Sequence, residues 1–136
     1  MPLYICNAKP GAIDDECKQA IAKDITRIHC EVTDAPPQLV HTIFLEGATR
    51  PPLEGKTASL FGSIRSGRTE AQKRQITETM GQSIERHAGI AVDEIRAVAS
   101  DIPASWVMEG GHIFPEPGEE AAWLEKHEAK RAAGSP

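Results

Sequence analysis

The apolar positions of the chain fall into short dense runs and long stretches of helical spacing, in the order strand, helix, strand, and then the same order again. Pro2 to Asn7 is rich in β-formers and predicts a strand, which Lys9-Pro10-Gly11 breaks. Asp14 is placed to cap a following helix whose first turn carries Asp15 and Glu16. Cys17, Ala20, Ile21, Ile25, Ile28 and Val32 give that helix one apolar stripe, and Ala35-Pro36-Pro37 ends it. Leu39 to Leu45 is apolar at nearly every position, as a strand covered on both faces would be. A loop rich in turn residues, 47–56, leads to a third strand over Thr57 to Arg65. Thr69-Glu70-Ala71-Gln72 fits a capping box, and Ile76, Met80 and Ile84 mark the inner face of a second helix. Gly89 is placed to close that helix, and Ile95 to Ile102 predicts a fourth strand.

This pattern predicts one α/β domain (an α+β sandwich) over 1–136, built as a tandem β-α-β repeat at 2–46 and 57–102 with a C-terminal extension at 103–136. The four strands are expected in one mixed sheet with two helices on one face, the crossovers right-handed. The other face is then left bare, and assembly with further copies is the expected remedy. A later helical segment, Glu119 to Arg131, is expected to pack on a neighbouring subunit through Ala122, Trp123 and Leu124, and Ala132 to Pro136 to fray.

Composition narrows the classes of partner. Aromatics are 4% of the chain, so the core must come from Ile, Val, Leu and Ala. A net charge of -5 argues against nucleic acid or an anionic membrane surface, so an acidic ligand would have to be drawn by a local basic cluster. No apolar run approaches the length of a membrane span, and the start of the chain lacks signal-peptide character; the expected location is the cytosol. Cys6, Cys17 and Cys30 form no C-x-x-C pair and read as reduced core residues, while the five histidines show no paired ligand spacing, so no metal site is expected.

Candidate chemistry begins at Met1-Pro2. An initiator Met before Pro is normally removed, which would expose a secondary amine that needs no side chain to act as nucleophile, acid or base. An α-amino group titrates at about 7.7–8.0, and burial beside cations disfavours its charged form further. A second candidate is Ile64-Arg65-Ser66-Gly67-Arg68-Thr69, where two guanidinium groups flank a strand end and a capped helix start. Helix amides, dipole and both forks favour a carboxylate there, although the pair reads equally as surface arginines partnered by acids such as Glu70. His29 sits at the edge of the first helix's apolar stripe, as a boundary residue or as a neutral ring that polarises a carbonyl or water. Glu109, in Trp106-Val107-Met108-Glu109-Gly110-Gly111, is either a solvated loop acid or a partly buried carboxylate suited to proton transfer.

Taken together, these residues resemble the tautomerase superfamily, and within it the cis-3-chloroacrylic acid dehalogenase group. The likeness runs through Met1-Pro2-Leu3-Tyr4, Ile25-Thr26-Arg27-Ile28-His29, Ala35-Pro36, Leu39-Val40, Ile43-Phe44, Ile64 to Glu70, Ile102-Pro103, and Glu109 through Glu116-Pro117-Gly118-Glu119-Glu120 to Trp123. It implies a cofactor-independent β-α-β enzyme, assembled as a homotrimer, that acts on a small carboxylate. Pro2 matches the central catalytic amine, Arg65 and Arg68 the carboxylate-binding arginines, His29 the histidine that contacts substrate or water, and Glu109 the acid that activates water. One departure bears on the reaction: Val98 stands where the dehalogenases carry a tyrosine, so dehalogenation is expected to be weak, with hydration or keto-enol tautomerisation of an unsaturated or 2-oxo carboxylate in its place. The alternatives are a malonate semialdehyde decarboxylase-like activity and a non-enzymatic interaction role on the same fold.

Overall fold

In a computed structural model the described residues are 1–132, and residues 133–136, within the tail expected to fray, lie outside them. The first strand, β1 (Leu3–Ala8), leads to α1 (Asp15–Thr33), then β2 (His41–Glu46) and β3 (Ala58–Arg65). Helix α2 (Glu70–Ala88) and β4 (Ile95–Ile102) complete the second repeat. The strands form one mixed sheet in the order β2-β1-β3-β4, with β1 parallel to β2, antiparallel to β3, and β3 parallel to β4.

The end signals act as the sequence predicts. Asp14 accepts from the Cys17 amide, and the Thr69/Gln72 capping box is complete in both directions. Gly89 takes the left-handed conformation that closes α2. Asp34 does the same for α1, so that helix ends before the prolines rather than at them. Pro37–Leu39 forms a short 3-10 turn, which shortens the predicted second strand at its front.

Both helices pack on one face of the sheet. Tyr4, Cys6, Ala8, Leu60 and Ile64 from the strands meet Ile21, Ile25, Ile28, Ile76, Met80 and Ile84 from the helices in one core. Among the described residues of the chain no layer covers the opposite face, so within one protomer Leu39 to Leu45 is not covered on both sides as expected: Ile43 is 45% exposed and Leu45 36%. Buried Asn7 ties the 47–56 loop to β1, accepting from the Ala48 amide and donating to the Ala48 and Pro51 carbonyls.

The extension carries two elements that spacing did not reveal, the short strands β5 (Met108–Glu109) and β6 (His112–Ile113). Their two-residue turn, Gly110-Gly111, has φ of 58° and 83°, the paired positive angles of a type I′ hairpin, which glycine adopts without strain. Helix α3 (Glu120–Ala132) follows. Its Trp123 folds back on its own chain, edge-on to Phe114 at 5.1 Å and donating through Nε1 to the Ile113 carbonyl.

Candidate active site

Register brings the candidate residues to one end of the sheet. Leu3 pairs with Ser63 in antiparallel β3 and with His41 in parallel β2, so the start of β1 lies beside the end of β3 and the start of β2. Arg65 pairs with Ile102 at the end of β4. Helix α1 returns its C-terminal turn to this same end, and α2 begins there. Pro2 is buried, and its carbonyl accepts from the His41 amide, so the first peptide unit is held inside the sheet. In the chain as described Pro2 follows Met1 through an amide; the free amine is that of Met1. That ammonium donates to the Leu39 carbonyl at 2.9 Å and is paired with the Glu109 carboxylate. The Gly110-Gly111 turn is what presents Glu109 to it, across more than a hundred residues of sequence. Glu109's side chain is 26% exposed, beside an open cleft between Met1, Leu3, His41, Ile43 and Met108 on the bare side of the sheet.

His29 lies on the helix side. The ring is 2% exposed, deeper than the boundary position its spacing suggested, and its Nδ1 is 2.7 Å from the hydroxyl of Tyr4. Burial first, then the positive charges of Arg68, Arg65 and the terminal amine, push its pKa from 6.5 down to about 3, so the ring is neutral. The hydrogen bond to Tyr4, near the start of β1, puts the ring at this same end of the sheet.

The two arginines differ in what occupies them. Arg65 is 3% exposed and fully engaged: Nη2 meets Glu120 at 2.6 Å, Nη1 donates to the Pro115 carbonyl at 2.7 Å, and the plane stacks over Phe114 at 4.5 Å. Arg68 donates through Nη1 to the Thr33 carbonyl at a long 3.2 Å, and its buried Nε has no hydrogen-bond partner among the described residues. An unpaired buried donor on a cation is costly unless an anion completes it. Arg68 is therefore the open member of the pair. Burial would raise the Glu120 carboxyl, but the Arg65 bond and the backbone amides of Glu120 and Gly118 outweigh it and hold the group below the ordinary carboxylate range.

Sequence reasoning thus located Pro2, His29, Arg65, Arg68 and Glu109 at one end of the fold, and missed Glu120 as Arg65's partner and Tyr4 as His29's. Val98 lies mid-sheet, paired with Phe61, and not at the strand ends that gather these groups.

A family model described as "Putative oxalocrotonate tautomerase enzyme" matches residues 1–128. The chain belongs to this tautomerase family. Among solved structures it is similar to N1, a member of the cis-3-chloroacrylic acid dehalogenase family, at 28% identity over 90% of both chains with a TM-score of 0.79. It is also similar to native Ps01740, at 32% identity over 79% of this chain and 99% of that one with a TM-score of 0.71. A fused 4-OT wild-type asymmetric trimer shares the fold, with 21% identity over 82% of this chain and 94% of that one and a TM-score of 0.69. No curated protein matches the chain by sequence. Fold and likeness together put this tautomerase in the dehalogenase-like group of its superfamily. Among the described residues no helix is long and apolar enough to cross a membrane.

Proposed function

We propose that this tautomerase works through the amine of Pro2, freed by removal of Met1, on a small unsaturated or 2-oxo carboxylate. What supports the reading is that the Met1 amine, one residue ahead of Pro2, is paired with Glu109, so removal of Met1 would leave the Pro2 nitrogen beside that carboxylate at the sheet end where Arg68 and a neutral His29 also lie. Arg68 receives the substrate carboxylate, with the charge of Arg65 behind it. In tautomerisation, neutral Pro2 takes a proton from one end of the enol system and returns it at the other. In hydration, Glu109 takes a proton from water as the oxygen bonds to C3, and the cationic form of Pro2 protonates C2. With no tyrosine in β4 to help position the water, dehalogenation through the same hydration step is slow. The assembly is a homotrimer, as the fused 4-OT trimers of the same fold are.

The test is the intact mass of the purified protein before and after exposure to 2-oxo-3-pentynoate, with the adduct mapped by peptide. The expected result is a chain lacking Met1 and labelled once, at Pro2. Retention of Met1, or labelling at another residue, overturns the reading.

A further inference from the structure

Tyr4, the chain's single tyrosine, occupies a position that has been built for it. Its ring crosses Gly62 on the neighbouring strand so closely that a Cβ there would lie 2.5 Å from Cε1. Its side chain is 1% exposed, and the ring meets His29 edge-on at a centroid distance of 5.7 Å. A glycine in a core strand forgoes packing and backbone stability, and here the space it leaves is filled by a ring aimed at the histidine.

The protons on this pair can be counted. Burial pushes the Tyr4 phenol above its ordinary value, with Arg68 partly opposing, so the hydroxyl is protonated; His29 is neutral and carries one ring hydrogen. Two arrangements fit a 2.7 Å contact. In one, the hydroxyl donates to Nδ1 and the ring hydrogen is on Nε2. In the other, Nδ1–H donates to the phenol oxygen, and the phenol hydrogen needs a second acceptor. Among the described residues the Tyr4 hydroxyl has no hydrogen bond besides the one to His29, so the second arrangement strands a buried O–H. The first leaves nothing unsatisfied at Nδ1.

We propose that Tyr4 is a positioning residue that donates to Nδ1 and thereby fixes His29 in the tautomer with its hydrogen on Nε2, so that the ring offers the bound substrate an N–H donor and not a base. The inference rests on the proposed function for the substrate, but not for the tautomer. It has a consequence for the division of roles: the nitrogen that could have taken a proton from water is committed to Tyr4, and water activation falls to Glu109 alone.

The tautomer can be read by two-dimensional 15N–1H NMR on the full chain labelled at histidine nitrogen. The expected His29 pattern is the Nε2–H form, unchanged between pH 7.5 and 5. A Nδ1–H pattern, or an imidazolium appearing within that range, overturns the proposal. In Tyr4→Phe the pure pattern should give way to a mixture, and kcat should fall about tenfold with KM little changed, the scale of losing one ordering hydrogen bond. If Tyr4→Phe keeps a pure Nε2–H ring, Tyr4 does not set the tautomer and the proposal fails. None of these spectra depends on turnover, so loss of the Pro2 reading in the labelling experiment would leave the tautomer result standing, and the reverse holds equally.

Discussion

Arg65 and Glu120 form a 2.6 Å ion pair with side chains only 2% and 7% exposed, joining the end of β3 to the first turn of α3. The pair clamps the extension that carries Glu109 onto the sheet. Removing one partner strands a buried charge, which costs about 3–5 kcal/mol. Glu120→Ala is therefore expected to lower the unfolding free energy by most of that amount, read as a lower denaturant midpoint at unchanged m. Activity should fall with it, because the segment holding Glu109 loses its anchor. An unchanged midpoint would show that the clamp is not needed.

Arg68 should behave differently. Among the described residues its one hydrogen bond is long and its Nε is unpartnered, so the fold gains little from it. Arg68→Ala is expected to raise KM for a 2-oxo carboxylate about 10- to 100-fold, the range for a hydrogen bond to a charged group, with little change in thermal midpoint. Steady-state kinetics beside thermal melts separate Arg68→Ala from Glu120→Ala: the first loses substrate binding, the second loses stability.

This distinction marks where the sequence stops being legible. Asp14, the Thr69/Gln72 box and Gly89 act through neighbours a few residues away, and their roles could be read from local chemistry. The likeness to a family, with strand-end logic, gathered Pro2, His29, Arg65, Arg68 and Glu109. Arg65's partner could not be read, since Glu120 is one of four glutamates between residues 116 and 125, and nothing in their spacing says which reaches back to β3. The second strand was misjudged for a related reason: an apolar run looks alike whether its outer face meets a layer of the same chain or is left open.

Acid sensitivity should carry the mark of His29. Its folded pKa, about 3, lies below the 6.5 of the unfolded chain, so below pH 6.5 the unfolded state binds a proton that the folded state refuses. Its contribution to stability is complete above pH 6.5 and is lost as pH falls toward 3, at up to ~1.4 kcal/mol per pH unit. Asp24 adds a further loss at lower pH. Burial raises its carboxyl, but bonds from Ser83, Arg86, His87 and Arg27 more than reverse this, so its stabilisation is present above the carboxylate range and lost below it. Urea unfolding at pH 6.5, 5.5 and 4.5 should show a falling midpoint in the parent chain and a flatter profile in His29→Gln.

Gly62→Ala tests the space beneath Tyr4. The new methyl would sit inside the ring's contact distance, and the neighbouring strand is hydrogen-bonded in register, so the ring must move. Overpacking of this kind costs about 1–3 kcal/mol. The displacement should also stretch the bond to His29, so loss of activity should exceed that of a core variant matched in stability, such as Met80→Leu.

The bare sheet face makes the last prediction. Ile5 pairs with Ile43 on one side and Phe61 on the other, and Phe61 pairs with Val98, so four apolar side chains form one row across all four strands. Arg96 lies over the Phe61 ring at 4.9 Å, partly shielding it, while Ile43 remains 45% exposed. An apolar row of this extent facing water is costly, and a symmetric homotrimer would cover it in every copy at once. A carboxylate in the middle of the row would be desolvated three times per assembly. Phe61→Asp is accordingly expected to sediment as a monomer, and the parent chain, if the proposed assembly holds, as a trimer. The helix-side core, including Tyr4 and His29, faces the other way, so near-ultraviolet circular dichroism of the variant should report a folded protomer. A Phe61→Asp chain that still sediments as a trimer would mean that the bare face is not what joins the subunits.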